Sequence, residues 1–433
     1  MPAGGGQWNA VVEYAFSLSG ERMSIRFALI LCVFVSAVAC DAGQASLDAI
    51  AERYVRTALA LSQHDRSLVE DWRGHESWTP GPRRPVAELL PEVERLQQEI
   101  DTAASDISSA AEHARVQYLA GQIRGLRFAV DRQLGRAASI DDQAAAEFNV
   151  TFPPLDRAAI DRVHEQLRHA LPGDQALDAR VAALRRATTV PREHRIVVLS
   201  RAVDACREAA ARIVPMPKDE SINIVFRARI PWDAFARYEG QHRTDIEIND
   251  DGELDMSRAV RLACHEAYPG HHVQHLLIDR LHDERRWPEL LLSPGFGPHL
   301  LLTEGAAEVA ADLALQREAR AALYRQRLFP DAGIDIAHVE RLVVVEDLLI
   351  QLLPVVTDVA RQYLDSAITQ QQALDRLRTE ALIANPPAAL AFIEQRRARA
   401  LVYGEGRRIV YGAMRSRDLE ALFGAFRSAA ALQ

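Results

Sequence analysis

Apolar residues recur at helical spacing along most of this chain, and strand-like alternation is confined to one short region. Leu47, Ile50, Tyr54 and Leu59 open the first amphipathic stripe. Residues 70–85 interrupt it with Gly74, Pro80, Gly81, Pro82 and Pro85. A long stripe then runs from Leu89 to Leu134 through Val93, Leu96, Ile100, Ile107, Tyr118, Ile123, Leu126 and Val130, which predicts one long or once-broken helix. Helices are expected at 155–171, 174–187 and 192–213. The pattern changes at INIVFRA (222–228) and TDIEIN (244–249), whose β-formers predict two short strands. Helical spacing resumes at 257–267, 271–284, 299–325, 337–366, 370–383 and 387–402, with Pro354 expected to kink one of these segments. The fold expected is mainly α: a large helical domain with a small β-sheet.

One stretch follows neither period. Phe27 to Ala39 is apolar throughout, too short to cross a bilayer comfortably, and flanked by Arg22 and Arg26. That is the pattern of an export signal, with Met23 a candidate start. It ends in Ala37-Val38-Ala39-Cys40, which reads two ways. A small residue before cysteine suits lipidation of Cys40, although Ala37 stands where leucine is usual. Ala-x-Ala equally suits ordinary cleavage before Cys40. The expected organisation is therefore a signal peptide over 1–39, an N-terminal helical region over 40–215, and a region with the small sheet and C-terminal helices over 216–433. The last two are expected to form one continuous unit.

Composition changes this picture little. The chain has 433 residues, 48% of them hydrophobic, and a formal net charge of -9. No basic patch stands out, which argues against nucleic-acid binding. Of the four cysteines, Cys32 and Cys40 lie in the N-terminal segment, so there is no disulfide framework. The other two, Cys206 and Cys264, are read as buried free thiols rather than as a bridge.

The chemistry is concentrated in Cys264-His265-Glu266-Ala267-Tyr268-Pro269-Gly270-His271-His272, followed by Glu304-Gly305-Ala306-Ala307-Glu308. Hydrolytic zinc favours two imidazoles and a carboxylate. In the simple motif the histidines stand at i and i+4 of one helix, with the glutamate between them as base. Here the i+4 position is Pro269. On a straight helix His265 and His271 would lie about 9 Å apart along the axis, too far to share an ion. A break at Pro269-Gly270 is thus a condition for the site. Glu308, one turn beyond Glu304, is suited to orient a ligand imidazole. The competing reading is a helix–turn–helix corner with surface histidines.

These residues resemble the bacterial family catalogued as domain of unknown function eight hundred eighty-five, whose members are mostly exported helical proteins and often lipoproteins. His265 to His272 matches its His-Glu-x-x-Pro-Gly-His-His motif in full, and Glu304-Gly305-Ala306-Ala307 matches its Glu-Gly-x-Ala segment. Tyr54-Val55-Arg56, Tyr238, Gly240, Arg243, Ile248-Asn249 and Tyr403-Gly404-x-Gly406 extend the likeness over nearly the whole mature chain. The resemblance implies kinship with zinc gluzincin peptidases, and favours His271 over His272 as the second ligand, with His272 the alternate. Two positions depart from the pattern: Ala306 replaces the usual tryptophan or threonine, and Glu308 the usual aromatic.

The mechanism expected is hydrolysis with one Zn2+ held by His265, His271 and Glu304, Glu266 as general base and Tyr403 as donor to the oxyanion. The strand 244–249 is expected to pair with an extended peptide at the rim. Arg396, Arg397 and Arg399 suit a substrate carboxylate, but a solvated basic helix face is the simpler reading. The expected partners are a peptide or small amide substrate, and a membrane if Cys40 is lipidated on the periplasmic face of the envelope. Two other functions remain open: a lipid-anchored scaffold with a vestigial site, and a hydrolase of a non-peptide amide or ester.

Overall fold

The computed structural model describes residues 47–104, 109–136, 138–230 and 232–414. The export segment with Arg22, Met23, Arg26 and Cys40 lies outside the described residues, as does Ile107 of the long stripe. Helix α1 covers 47–62 and buries the stripe expected of it. After the break come α2 (Val86–Ala103) and α3 (Ala110–Gln133), so the long stripe is two helices. Ser109 caps α3 by accepting from the Glu112 N–H. Four helices follow: α4 (Ile140–Phe148), α5 (Arg157–Ala170), α6 (Leu177–Ala187) and α7 (Arg195–Ala210).

Apolar side chains gather in two clusters. One joins α1, α2 and α3 to Trp287, Leu290, Leu292 and Phe296. The other runs from Ile140 to Val410. The apolar division therefore falls just before α4 rather than near residue 215, and α4 to α7 share their core with the second half of the chain.

The small sheet has three strands, not two. β2 (Ser221–Arg227) and β4 (Arg243–Asn249) run parallel, while β3 (Ala234–Gly240) pairs antiparallel with β4. The order β2-β4-β3 places β4 in the centre. Both of its edges are occupied, so it cannot take a peptide strand, contrary to the expectation from the sequence; β2 and β3 carry the edges instead. A further ribbon pairs β1 (Val69–Trp72) with β5 (Leu292–Pro294) across more than 200 residues of chain.

After the sheet come α8 (Met256–Leu262), a π-helical turn over Ala263–Ala267, and α9 (His271–Arg285). Helix α10 (Gly297–Ala314) then crosses the molecule. The expected helix 299–325 stops there, and the chain restarts as α11 (Arg317–Leu323) and α12 (Phe329–Ala332). Pro354 marks a full break between α13 (Val339–Ile350) and α14 (Leu353–Leu364), where it sits in the first turn of the second helix. The described residues close with α15 (Gln370–Thr379), α16 (Pro386–Arg396) and α17 (Val402–Met414). Among the described residues no helix is long and apolar enough to cross a membrane.

Candidate metal centre

The helix carrying His265 does break before His271. Its last turn widens to π, Tyr268 is extended, and α9 starts afresh at His271. The Gly270 N–H reaches back to the Cys264 carbonyl at 3.1 Å. A Cβ on residue 270 would lie 1.8 Å from the His265 carbonyl oxygen, so only glycine allows the chain to fold back this tightly. This reversal brings the two imidazoles together. His265 Nε2 and His271 Nε2 are 3.2 Å apart.

Glu304 arrives from α10. Its Oε2 lies 3.4 Å from His265 Nε2 and 3.6 Å from His271 Nε2. Donors held tetrahedrally at about 2.1 Å from an ion stand about 3.4 Å apart. The three separations bracket that value, so the donor set fits one small divalent cation. Glu304 Oε2 is also buried without a hydrogen-bond donor. The ligand side chains keep 10–18% exposure, which places the cluster at the floor of a recess open to solvent.

The outer nitrogens are engaged. His265 Nδ1 is 3.2 Å from Glu308 Oε1, and Arg261 holds the other carboxylate oxygen at 2.7 Å. His271 Nδ1 is 3.0 Å from Gln274 Oε1. Gln274 donates its amide to the Thr303 carbonyl at 2.9 Å, which fixes its oxygen toward His271. Each Nδ1 thus faces an acceptor, which leaves Nε2 of each ring as the atom that would turn to an ion once its proton is displaced. Gln274 was not singled out from the sequence; its place one turn after His271, facing that histidine, was the available signal.

The charges respond to this crowding. Burial would raise the Glu304 carboxyl, but the His271 charge and the close approach of both imidazoles hold it far below the usual carboxylate range. Burial would depress His265, but its contacts with Glu304 and Glu308 keep its proton well above the ordinary histidine range. His271 is raised as well, mainly by Glu304 against the effect of burial.

His272 faces elsewhere. Consecutive helical residues point about 100° apart. Its Nδ1 meets Thr244 Oγ1 at 2.7 Å and its Nε2 meets Glu220 Oε2 at 3.2 Å, both fully inside the protein. Arg207 and the Tyr268 hydroxyl complete the Glu220 shell. His272 therefore ties its helix to β4 and stands outside the His265–His271–Glu304 cluster, so the geometry does not favour it as the alternate ligand.

Glu266 is buried beside the cluster but is not one of the three donors. The Ala236 N–H, on the free edge of β3, points to its carboxylate. Burial raises this carboxyl, against the attraction of His265 and His271.

Tyr403 also reaches the recess. Its ring lies 6.5 Å from the His265 ring at an interplanar angle of 26°. It is held there by a close crossing of α10 and α17. A Cβ on Gly305 would meet the Gly406 backbone at 2.3 Å, and one on Gly406 the Leu301 carbonyl at 2.3 Å. The two glycine-containing segments, some hundred residues apart, are thus the two sides of one contact, and it carries Glu304 and Tyr403 to the same recess. Glu70, on β1, was not anticipated either. It is exposed at the rim yet ringed by protein, and its carboxyl is pushed up to about 7, first by loss of surrounding water and then by the Glu304 charge.

A correction concerns the cysteines. Cys206 of α7 and Cys264 of the π turn form a disulfide, with Cα atoms 5.6 Å apart. Packing of α7 on the π turn brings the two thiols face to face, which their separation in sequence concealed.

No family model matches the chain, and no curated protein matches it. Among solved structures it is similar to a protein from Colwellia psychrerythraea described as a "putative lipoprotein", at TM-score 0.51 and 14% identity over 79% of this chain. The chain spans 65% of that protein's length. A second similar structure, from Shewanella oneidensis and described in the same words with unknown function, has TM-score 0.45 and 16% identity, covering 79% of this chain and 72% of that one. These likenesses concern the fold.

Proposed function

We propose that this chain is an exported zinc-dependent hydrolase that cleaves peptide bonds, in keeping with its resemblance to the gluzincin-related family. The observation that carries the reading is the convergence of His265 Nε2, His271 Nε2 and Glu304 Oε2 at 3.2–3.6 Å, with Glu266 beside them and outside the donor set. A bound zinc would polarise a carbonyl and acidify water at this point. Glu266, steadied by the Ala236 N–H, takes the proton of the attacking water and returns it to the leaving amine. Tyr403 is the donor aimed at the oxyanion. The edge of β3 runs beside Glu266, which favours an extended peptide over a compact amide or ester. The intact base speaks against a vestigial site on a scaffold, since mere metal binding needs no Glu266.

The same proposal places the chain outside the cytoplasmic membrane, anchored through lipidated Cys40. The apolar segment ending at Cys40, the Cys206–Cys264 disulfide and the description of the similar structures support it. The test is zinc stoichiometry on the purified protein, followed by turnover of a peptide library with and without chelator. Cleavage that disappears with chelator and returns with zinc is expected. A protein that binds no zinc ends the proposal.

A further inference from the structure

The three arginines at the end of α16 have separate fates. Arg399 is buried, paired with Glu147 at 3.1 Å and bonded to the Ser67 carbonyl at 3.3 Å, so it clamps the fold. Arg397, at φ 52°, lines a recess with Tyr363 and Glu394 that contains none of the metal-cluster residues. Arg396 has neither role. It is half-buried, its Nε is shut off from water with no acceptor, and no carboxylate of the described residues lies within ion-pair reach. An unanswered guanidinium in that position costs desolvation without return.

Its surroundings lead to the metal centre. Phe392, one turn earlier on the same face of α16, packs on Tyr403 at 5.9 Å between ring centroids. Tyr403 in turn overlies His265 at 6.5 Å. Arg396 thus stands at the end of an aromatic wall that starts at a donor imidazole. Its charge is felt at both Tyr403 and Glu70, the residues that flank the recess.

We propose that Arg396 is the specificity residue of this recess and binds the free C-terminal carboxylate of a short peptide, so that the enzyme trims from the C-terminal end. This deepens the hydrolase reading and rests on it. A planar guanidinium fork matches a carboxylate with two parallel hydrogen bonds. Phe392 and Tyr403 supply an apolar wall for the terminal side chain.

The test measures binding, so it does not depend on turnover. Zinc-loaded full-length Glu266→Gln protein is titrated calorimetrically with N-acetyl-Ala-Phe as the free acid, with its C-terminal amide, and with N-acetyl-Ala-Glu amide. The free acid is expected to bind about 10- to 100-fold more tightly than its amide, the span of one charge-assisted pair. Arg396→Ala should erase that difference, and Arg396→Lys should restore part of it, with zinc content and melting temperature unchanged. Equal binding of free acid and amide overturns the proposal, as does a preference that survives in folded Arg396→Ala. Tight binding of the glutamyl amide that vanishes in Arg396→Ala overturns the C-terminal assignment in favour of an acidic side chain. Zinc-loaded wild-type protein that cleaves no peptide defeats the hydrolase reading while leaving the Arg396 result legible.

Discussion

Under the proposed function, Glu266 and His265 are neighbours in the chain with opposite duties, and substitution separates them. Glu266→Gln keeps the size and the Ala236 contact but cannot accept a proton. It should retain one zinc and lose about 10²- to 10⁴-fold in kcat. His265→Ala should lose zinc and turnover together. Zinc analysis alongside steady-state rates checks both, and unimpaired turnover in Glu266→Gln would end the general-base assignment. A second expectation concerns pH. Without metal both imidazoles hold their protons above the ordinary histidine range, and zinc must displace them. Affinity should therefore climb as pH rises from about 6 to 8, with protons released on binding. Competition with a chromogenic chelator across that range reads the slope, and a flat profile contradicts the proposed tautomers.

Element geometry rests on three glycines, and each has a different tolerance. Gly270→Ala places a methyl into the His265 carbonyl and should cost the site its second imidazole, seen as lost zinc in a folded protein. Gly305→Ala and Gly406→Ala force α10 and α17 apart, an overpacking cost of about 1–3 kcal/mol with a lower melting temperature. Gly404 is the control, because a Cβ there finds its nearest neighbour at an ordinary 3.7 Å. Gly404→Ala should be neutral or stabilising, by up to about 1 kcal/mol, through better helix propensity. Much of this scale was legible in the sequence. Helical spacing located most helices, and the ligand spacing demanded the break at Pro269-Gly270. The β1–β5 ribbon was not legible, because strands of four and three residues carry too little pattern to announce a partner so distant. β3 hid behind small and charged residues, although its buried Ala236 and Tyr238 do alternate. The glycine crossing was visible only as two unrelated motifs.

On the scale of the whole molecule, the candidate metal centre sits where several distant segments meet, and a covalent link joins two of them. The Cys206–Cys264 bond closes a loop of 58 residues. On chain-entropy grounds its removal should cost about 4 kcal/mol. Urea unfolding of a Cys206→Ala/Cys264→Ala double variant, or of the reduced protein, measures this. A midpoint equal to that of the oxidised wild type contradicts the estimate. The link also lies one residue from His265, and that position has a consequence in time. On the proposed function, a nascent chain in a reducing cytoplasm would have α7 without its covalent tie to the π turn and would offer zinc a looser pocket. Oxidation after export would then draw the turn tight and make the pocket competent. The bond would then serve as a safety catch, keeping a hydrolase inert among the peptides of the cell that makes it and arming it only after export. Chain retained in the cytoplasm should accordingly carry less zinc than exported chain from the same culture.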